Sequence, residues 1–149
     1  MKLTIAWIGK TKEPAIQALT DEYLKRLSRY AEAEGLSLKD ETALLALAAR
    51  DPKTRSKQAL VLLDSRGKQL TSEGLAKFIA DYQDRSPLPL LFAIGGADGF
   101  SDQARRAAGF TLSLGKMTLA HELARVVLLE QLYRAFTILQ GHPYHLGHS

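Results

Sequence analysis

The chain has 149 residues, a formal net charge of +4, 46 % hydrophobic and 24 % charged residues, and no cysteine. That length suits one domain, residues 1–149, able to bury one sheet and its helices, and the balance is that of an ordinary soluble protein. Without cysteine, disulfides, zinc ribbons and thiol nucleophiles are excluded. The opening apolar run, Met1–Ile8, is too short for a signal segment or a membrane span, so a cytoplasmic protein is expected.

In chain order, Lys2–Ile8 alternates loosely and reads as a strand, and Pro14 suits the first turn of a helix. Ile16, Leu19, Tyr23, Leu24 and Leu27 recur at helical spacing, with Gly35 ending that region and Gly35–Lys39 a second strand. Glu41–Arg50 is Ala- and Leu-rich and predicts a helix; the polar run Asp51–Lys57 is a mobile loop or an amphipathic turn. Ala59–Leu63 is a continuous apolar run, the mark of a strand buried on both faces, and Ser65–Gly67 reads as a turn. Thr71 or Ser72 caps a helix to about Tyr82. Leu88–Ile94 is another buried strand, Ser101 or Asp102 caps a short helix to Ala108, and Phe110–Leu114 is the last strand.

A long helix follows from Leu119 to Ile138, without Gly or Pro. Its middle, Val126–Leu129, is apolar at four consecutive positions and must be covered on every side, which a small domain does poorly. A second copy of the chain is the expected cover. The alternation of strands and helices makes the class α/β with a mainly parallel sheet flanked by helices.

In such sheets ligands bind beyond the carboxyl ends of the strands. Three of those ends carry notable residues: Leu63-Asp64, the Gly95-Gly96-Ala97-Asp98-Gly99 run, and Leu114–Leu119 with its Gly115. Each glycine loop is either a tight turn or a place where backbone N–H groups meet a ligand. The Gly95 run is not the dinucleotide fingerprint, since it follows a late strand with different spacing. Three of the four histidines, His142, His145 and His148, lie in the tail. Pro143 and Gly147 interrupt a helix there and no carboxylate or thiolate accompanies them, so no metal site is expected; Tyr144 and His145 could instead supply acid–base groups. His121 reads as a capping or interface histidine, and Glu130 with Arg134 as an ordinary surface pair. The basic excess, in Lys53, Arg55, Lys57, Arg66 and Lys68 with Lys2, Lys10 and Lys12, is either a solvated surface or a nucleic-acid contact.

Taken together, Leu62-Leu63-Asp64, Phe92–Gly99, Leu114–Ala135 and His142–His145 resemble the ribosomal RNA large-subunit methyltransferase H family of the SPOUT class. The resemblance runs the length of the chain. It implies a SPOUT-type sheet with a C-terminal trefoil knot, which no periodicity would predict, and a homodimer in which two chains complete each site. It implies S-adenosylmethionine as methyl donor, contacted by Leu63, Gly95, Leu114, Gly115, Lys116, Met117, Thr118 and Leu119. The implied reaction is methylation of N3 of a pseudouridine in large-subunit (23S) ribosomal RNA on the assembled ribosome, with Tyr144 and His145 as catalytic residues and no metal.

Two departures stand out. Relatives usually carry proline where this chain has Ala120, and a basic residue directly after the Tyr-His pair, where this chain has Leu146. A non-catalytic ribosome- or RNA-binding module of the same fold is the alternative that the altered tail leaves open, with a nucleotide-dependent enzyme using the Gly95 loop as a third reading.

Overall fold

A computed structural model describes residues 1–146, with side chains through Tyr144. The continuous apolar runs become the central strands. β1 (Lys2–Ile8) lies between β2 (Glu32–Leu38) and β4 (Leu90–Ile94), and β3 (Ala59–Gln69) lies between β4 and β5 (Phe110–Ser113), in the order β2-β1-β4-β3-β5. Every neighbouring pair is parallel. All five residues of β4 are buried, as a strand covered on both faces must be.

Successive side chains alternate between two cores. Leu3, Ile5, Trp7, Val61, Phe92 and Ile94 face α1 (Pro14–Leu27), α3 (Ser72–Arg85) and α5 (His121–Gln140). Ala6, Leu60, Leu62, Leu91 and Ala93 face α2 (Glu41–Ala49) and α4 (Asp102–Ala107). The helix starts follow local chemistry: Asp40, Thr71 and Ser101 each accept an N–H of the first turn of α2, α3 and α4. In α5, Ala124, Leu128, Leu132, Ala135 and Phe136 form the buried stripe. A 3₁₀ turn, Pro143–Leu146, follows it.

Two expectations are corrected and a third is narrowed. Gly35 does not end the first helix region; α1 stops at Leu27 and Gly35 sits mid-strand. A Cβ there would come within 2.8 Å of Leu24 Cδ1 and 2.9 Å of the Trp7 ring, so glycine is needed for close helix–strand approach. Ser65–Gly67 is not a turn, because β3 continues to Gln69. Its pairing with β5 slips between Leu63 and Lys68, both of which oppose Leu112, and residues 64–67 bulge from the ladder. The polar run Asp51–Lys57 is a turn built on buried Asp51, which accepts from Lys2 Nζ at 3.0 Å and Lys53 N at 2.9 Å.

Candidate active site

The carboxyl ends of β3, β4 and β5 meet the first turns of α5 around a cleft of about 340 Å³. Its walls include Leu63, Asp64 and Arg66, the Gly95–Gly99 loop, Ser113–Gly115, Met117–Leu119, and His121 with Ala124. Seven of the eight residues expected to hold a cofactor line it; Lys116 is exposed and stands outside the lining. The cleft exists because the β3 bulge turns Asp64 and Arg66 toward it and because two glycine loops close its rim.

Gly115 has φ +139°, a conformation L side chains rarely adopt, and its N–H donates to Ser113 Oγ at 3.2 Å. The Gly95 loop folds on itself, with Gly99 N–H donating to Gly96 O at 3.1 Å. A Cβ on Gly95 would meet the Gly99 backbone and Phe100 at 3.2 Å, so a side chain there disturbs the loop itself.

Asp64 is nearly buried and fully engaged: Oδ1 accepts Arg66 N–H at 2.9 Å and Oδ2 accepts Arg105 Nε at 2.8 Å. Burial opposes its ionisation, but the Arg66 N–H and the Arg105 guanidinium outweigh it and hold the carboxyl below the usual range. His121, expected to cap or pair, lines the cleft, and Ala120 at the helix start gives no side-chain cap.

One turn on, Arg125 is fully buried and sequence reasoning gave it no role. Its guanidinium lies 3.9 Å from the Trp7 ring centroid and donates to Thr11 Oγ1 at 2.8 Å and Thr20 Oγ1 at 3.3 Å. Burial pulls its pKa down, opposed by nearby Glu122. Glu122 itself accepts the N–H groups of Lys12 and Glu13 at 3.3 Å. A long-range pairing of this kind leaves no periodic trace.

Tyr144 is elsewhere. Its ring packs edge-on to Tyr133 at 4.7 Å, and its hydroxyl donates to Glu130 Oε1 at 3.4 Å and lies 3.5 Å from that of Tyr23. Arg134 stacks over the ring at 5.2 Å and bonds Glu130 through Nε at 3.0 Å. The Glu130–Arg134 pair is therefore half-buried and part of an aromatic nest, not an ordinary surface pair. Burial, then Tyr23 and Glu130, push the Tyr144 phenol well up, so it stays a proton donor. Ten residues separate Ala124 in the cleft from Arg134 under Tyr144, about 15 Å along the helix. The side chain of His145, and all of His148, lie outside the described residues.

The chain matches the family model described as "Predicted SPOUT methyltransferase" over residues 1–145. It is 59 % identical over 148 residues to ribosomal RNA large subunit methyltransferase H of Koribacter versatilis, covering 99 % of this chain and 100 % of that protein. The chain belongs to the ribosomal RNA large subunit methyltransferase H family. The Geobacter sulfurreducens member is 45 % identical over 152 residues, covering 97 % of this chain and 99 % of its own. The fold is also that of the SpoU methyltransferase AviRb of Streptomyces viridochromogenes, solved with AdoMet. The two align at TM-score 0.52 and 13 % identity, over 89 % of this chain and 57 % of the other.

Among the described residues no cluster of three or more His, Asp or Glu side chains could hold a metal ion, and no helix is long and apolar enough to cross a membrane.

Proposed function

We propose that the protein is an S-adenosylmethionine-dependent methyltransferase that modifies N3 of a pseudouridine in 23S ribosomal RNA on the assembled ribosome, working in the cytoplasm as a homodimer. The observation that carries this is the cleft at the carboxyl edge of the sheet, built from three loops of a chain that belongs to a ribosomal RNA methyltransferase family.

The residues present fit the cofactor. Leu63, Ile94, Leu114, Met117 and Leu119 offer apolar walls, and the glycine loops let backbone approach a ligand. Leu63, Gly95 and Leu114–Leu119 would hold it, with Lys116 contributing backbone only. When bound, S-adenosylmethionine supplies a methyl group already activated on a sulfonium.

The chain's own part is to align, exclude water and move one proton. The target imide nitrogen is a poor nucleophile until deprotonated, and His145 is the candidate base, directly or through a water it orients. Tyr144, with its hydroxyl on Glu130, stays protonated and positions the turn that carries His145.

The tail nest and the cleft lie at different heights on α5, which supports a site shared between two chains. Leu123 is 52 % exposed on α5 and Leu19 is 43 % exposed on α1, while Met117 and Leu119 are exposed at the cleft rim. Val126 and Val127 are only half-covered. A second copy covering this face would hide those side chains and bring its tail to the cleft.

The test is methyl transfer from S-adenosylmethionine to ribosomes from cells lacking the protein, with the product nucleoside located by digestion and mass spectrometry. Methylation at pseudouridine N3 is expected, dependent on His145. A protein that binds ribosomes but transfers no methyl group would leave the non-catalytic module as the correct reading.

A further inference from the structure

The parallel sheet sorts the basic side chains into two groups. At the amino ends of the strands lie Lys2, Lys53, Arg55 and Lys57, and two of these are spent: Lys2 on Asp51 at 3.0 Å and Lys53 on Glu34 at 3.3 Å. At the carboxyl ends lie Lys10 and Lys12 in the loop after β1, Arg66 in the β3 bulge, and Lys116 after β5; of these Arg66 lines the cleft. These four side chains are exposed and form no ion pair or side-chain hydrogen bond among the described residues.

The loop Gly9–Glu13 is held at both ends. Gly9 N–H donates to Leu38 O at 2.8 Å and Gly9 O accepts Ser37 Oγ at 2.7 Å. At the other end Glu122 takes the N–H groups of Lys12 and Glu13, and buried Arg125 holds Thr11. Both anchors sit in the first turns of α5, beside His121 and Ala124 of the cleft wall. The neighbouring acids are mostly engaged: Asp64 by Arg105, Glu122 by the loop, and Glu13 as acceptor from Ala15 N–H, leaving Asp98 exposed. A guanidinium buried without a carboxylate bonded to it is a costly way to fix a loop, which argues that the loop's position matters. The loop offers no apolar or aromatic side chain for a protein partner; it offers two ammonium groups on a loop tied to the α5 turn that walls the cleft.

We propose that Gly9–Glu13 is an RNA-gripping lip, with Lys10 and Lys12 contacting the sugar-phosphate backbone beside the target nucleotide and Arg66 contributing from the same edge of the sheet. This rests on the ribosomal RNA methyltransferase reading. It excludes the amino-end group, Lys53, Arg55 and Lys57, from the RNA contact.

The test compares full-length wild type, Lys10→Ala/Lys12→Ala, and Lys53→Ala/Arg55→Ala/Lys57→Ala for binding to ribosomes between 50 and 200 mM salt, the range in which phosphate contacts are resolved. The loop variant should lose roughly tenfold or more in affinity at ~0.1 M salt, and its log–log salt slope should shrink by about one per lysine. Its KM for ribosomes should rise, with kcat and S-adenosylmethionine affinity at wild-type values. The triple variant should match wild type. Wild-type affinity and slope in the loop variant would overturn the proposal, as would weaker binding with an unchanged slope, or a larger loss in the triple variant. Wild-type protein that neither binds nor methylates ribosomes would instead sink the methyltransferase reading, and this surface with it.

Discussion

The two ends of α5 are built on different principles. At its start, the cleft is built on glycine loops and a strand bulge, with apolar walls and the charged side chains Asp64, Arg66, Asp98 and Arg105 at its edge. Toward its far end, a nest of side chains, Tyr23, Tyr30, Tyr133, Phe136 and Tyr144, is tied by Glu130 and Arg134. Tyr30 also bonds His142 Nδ1, fixing the chain just before the 3₁₀ turn. One end suits a flat ligand approached by main chain; the other suits rigid presentation of a tail. A single helix keeps them about 15 Å apart, and in the proposed dimer the tail of one chain would serve the cleft of the other.

The largest effect should come from breaking that pairing. Leu123→Asp places a charge on an exposed position and should leave the fold intact, while Val127→Asp strikes a half-covered one. Both should yield a folded or weakened monomer in sedimentation with methyl transfer at background, and a fully active monomer of Leu123→Asp would refute the shared site.

A sharper test mixes two defective proteins. Gly95→Val should disable the proposed cofactor loop by collision with Gly99 and Phe100, and His145→Ala should remove the proposed base. Each alone should be inactive. After exchange of subunits, half the dimers carry one chain of each kind and one sound composite site, so about a quarter of wild-type activity should return. No recovery would place both groups in one chain.

Smaller still is Tyr144→Phe, which deletes the bond to Glu130. A stability loss of about 0.5–1.5 kcal/mol by urea unfolding is expected, with turnover reduced and its pH profile unshifted, since a protonated phenol is no base. A shifted profile would make Tyr144 a titrating participant.

The last effect depends on pH. Asp64 has a folded-state pKa below its unfolded value, so its stabilisation is complete above about pH 4 and is lost as acid passes the folded value. Asp64→Asn should therefore cost about 1–3 kcal/mol at pH 7, a gap that closes below about pH 4. A gap that persists in acid would mean packing, not charge, holds the cleft wall.

Legibility varied with the range of the interactions. Helix starts at Thr71 or Ser72 and at Ser101 or Asp102 were plain, because a cap is written within four residues; the structure caps with Thr71 and Ser101. The buried strands expected at Ala59–Leu63 and Leu88–Ile94 were plain from their apolar runs, the second starting at Leu90 in the structure. Gly35 misled because the same residue that ends helices also lets Leu24 and Trp7 approach a strand. The β3 extension to Gln69 misled because Ser65-Arg66-Gly67 has turn composition, and only β5 alongside shows that it is a bulge.

By itself, the sequence determined the α/β class, the position of nearly every element, and the three strand ends that line the cleft. These depend on periodicity, capping and short motifs, all local. Only the tertiary structure decided the strand order β2-β1-β4-β3-β5, the burial of Arg125 against Trp7, the two groups of basic residues, and the separation of Tyr144 from the cleft. Each of these joins residues distant in the chain, and such contacts are set by the packing of whole elements.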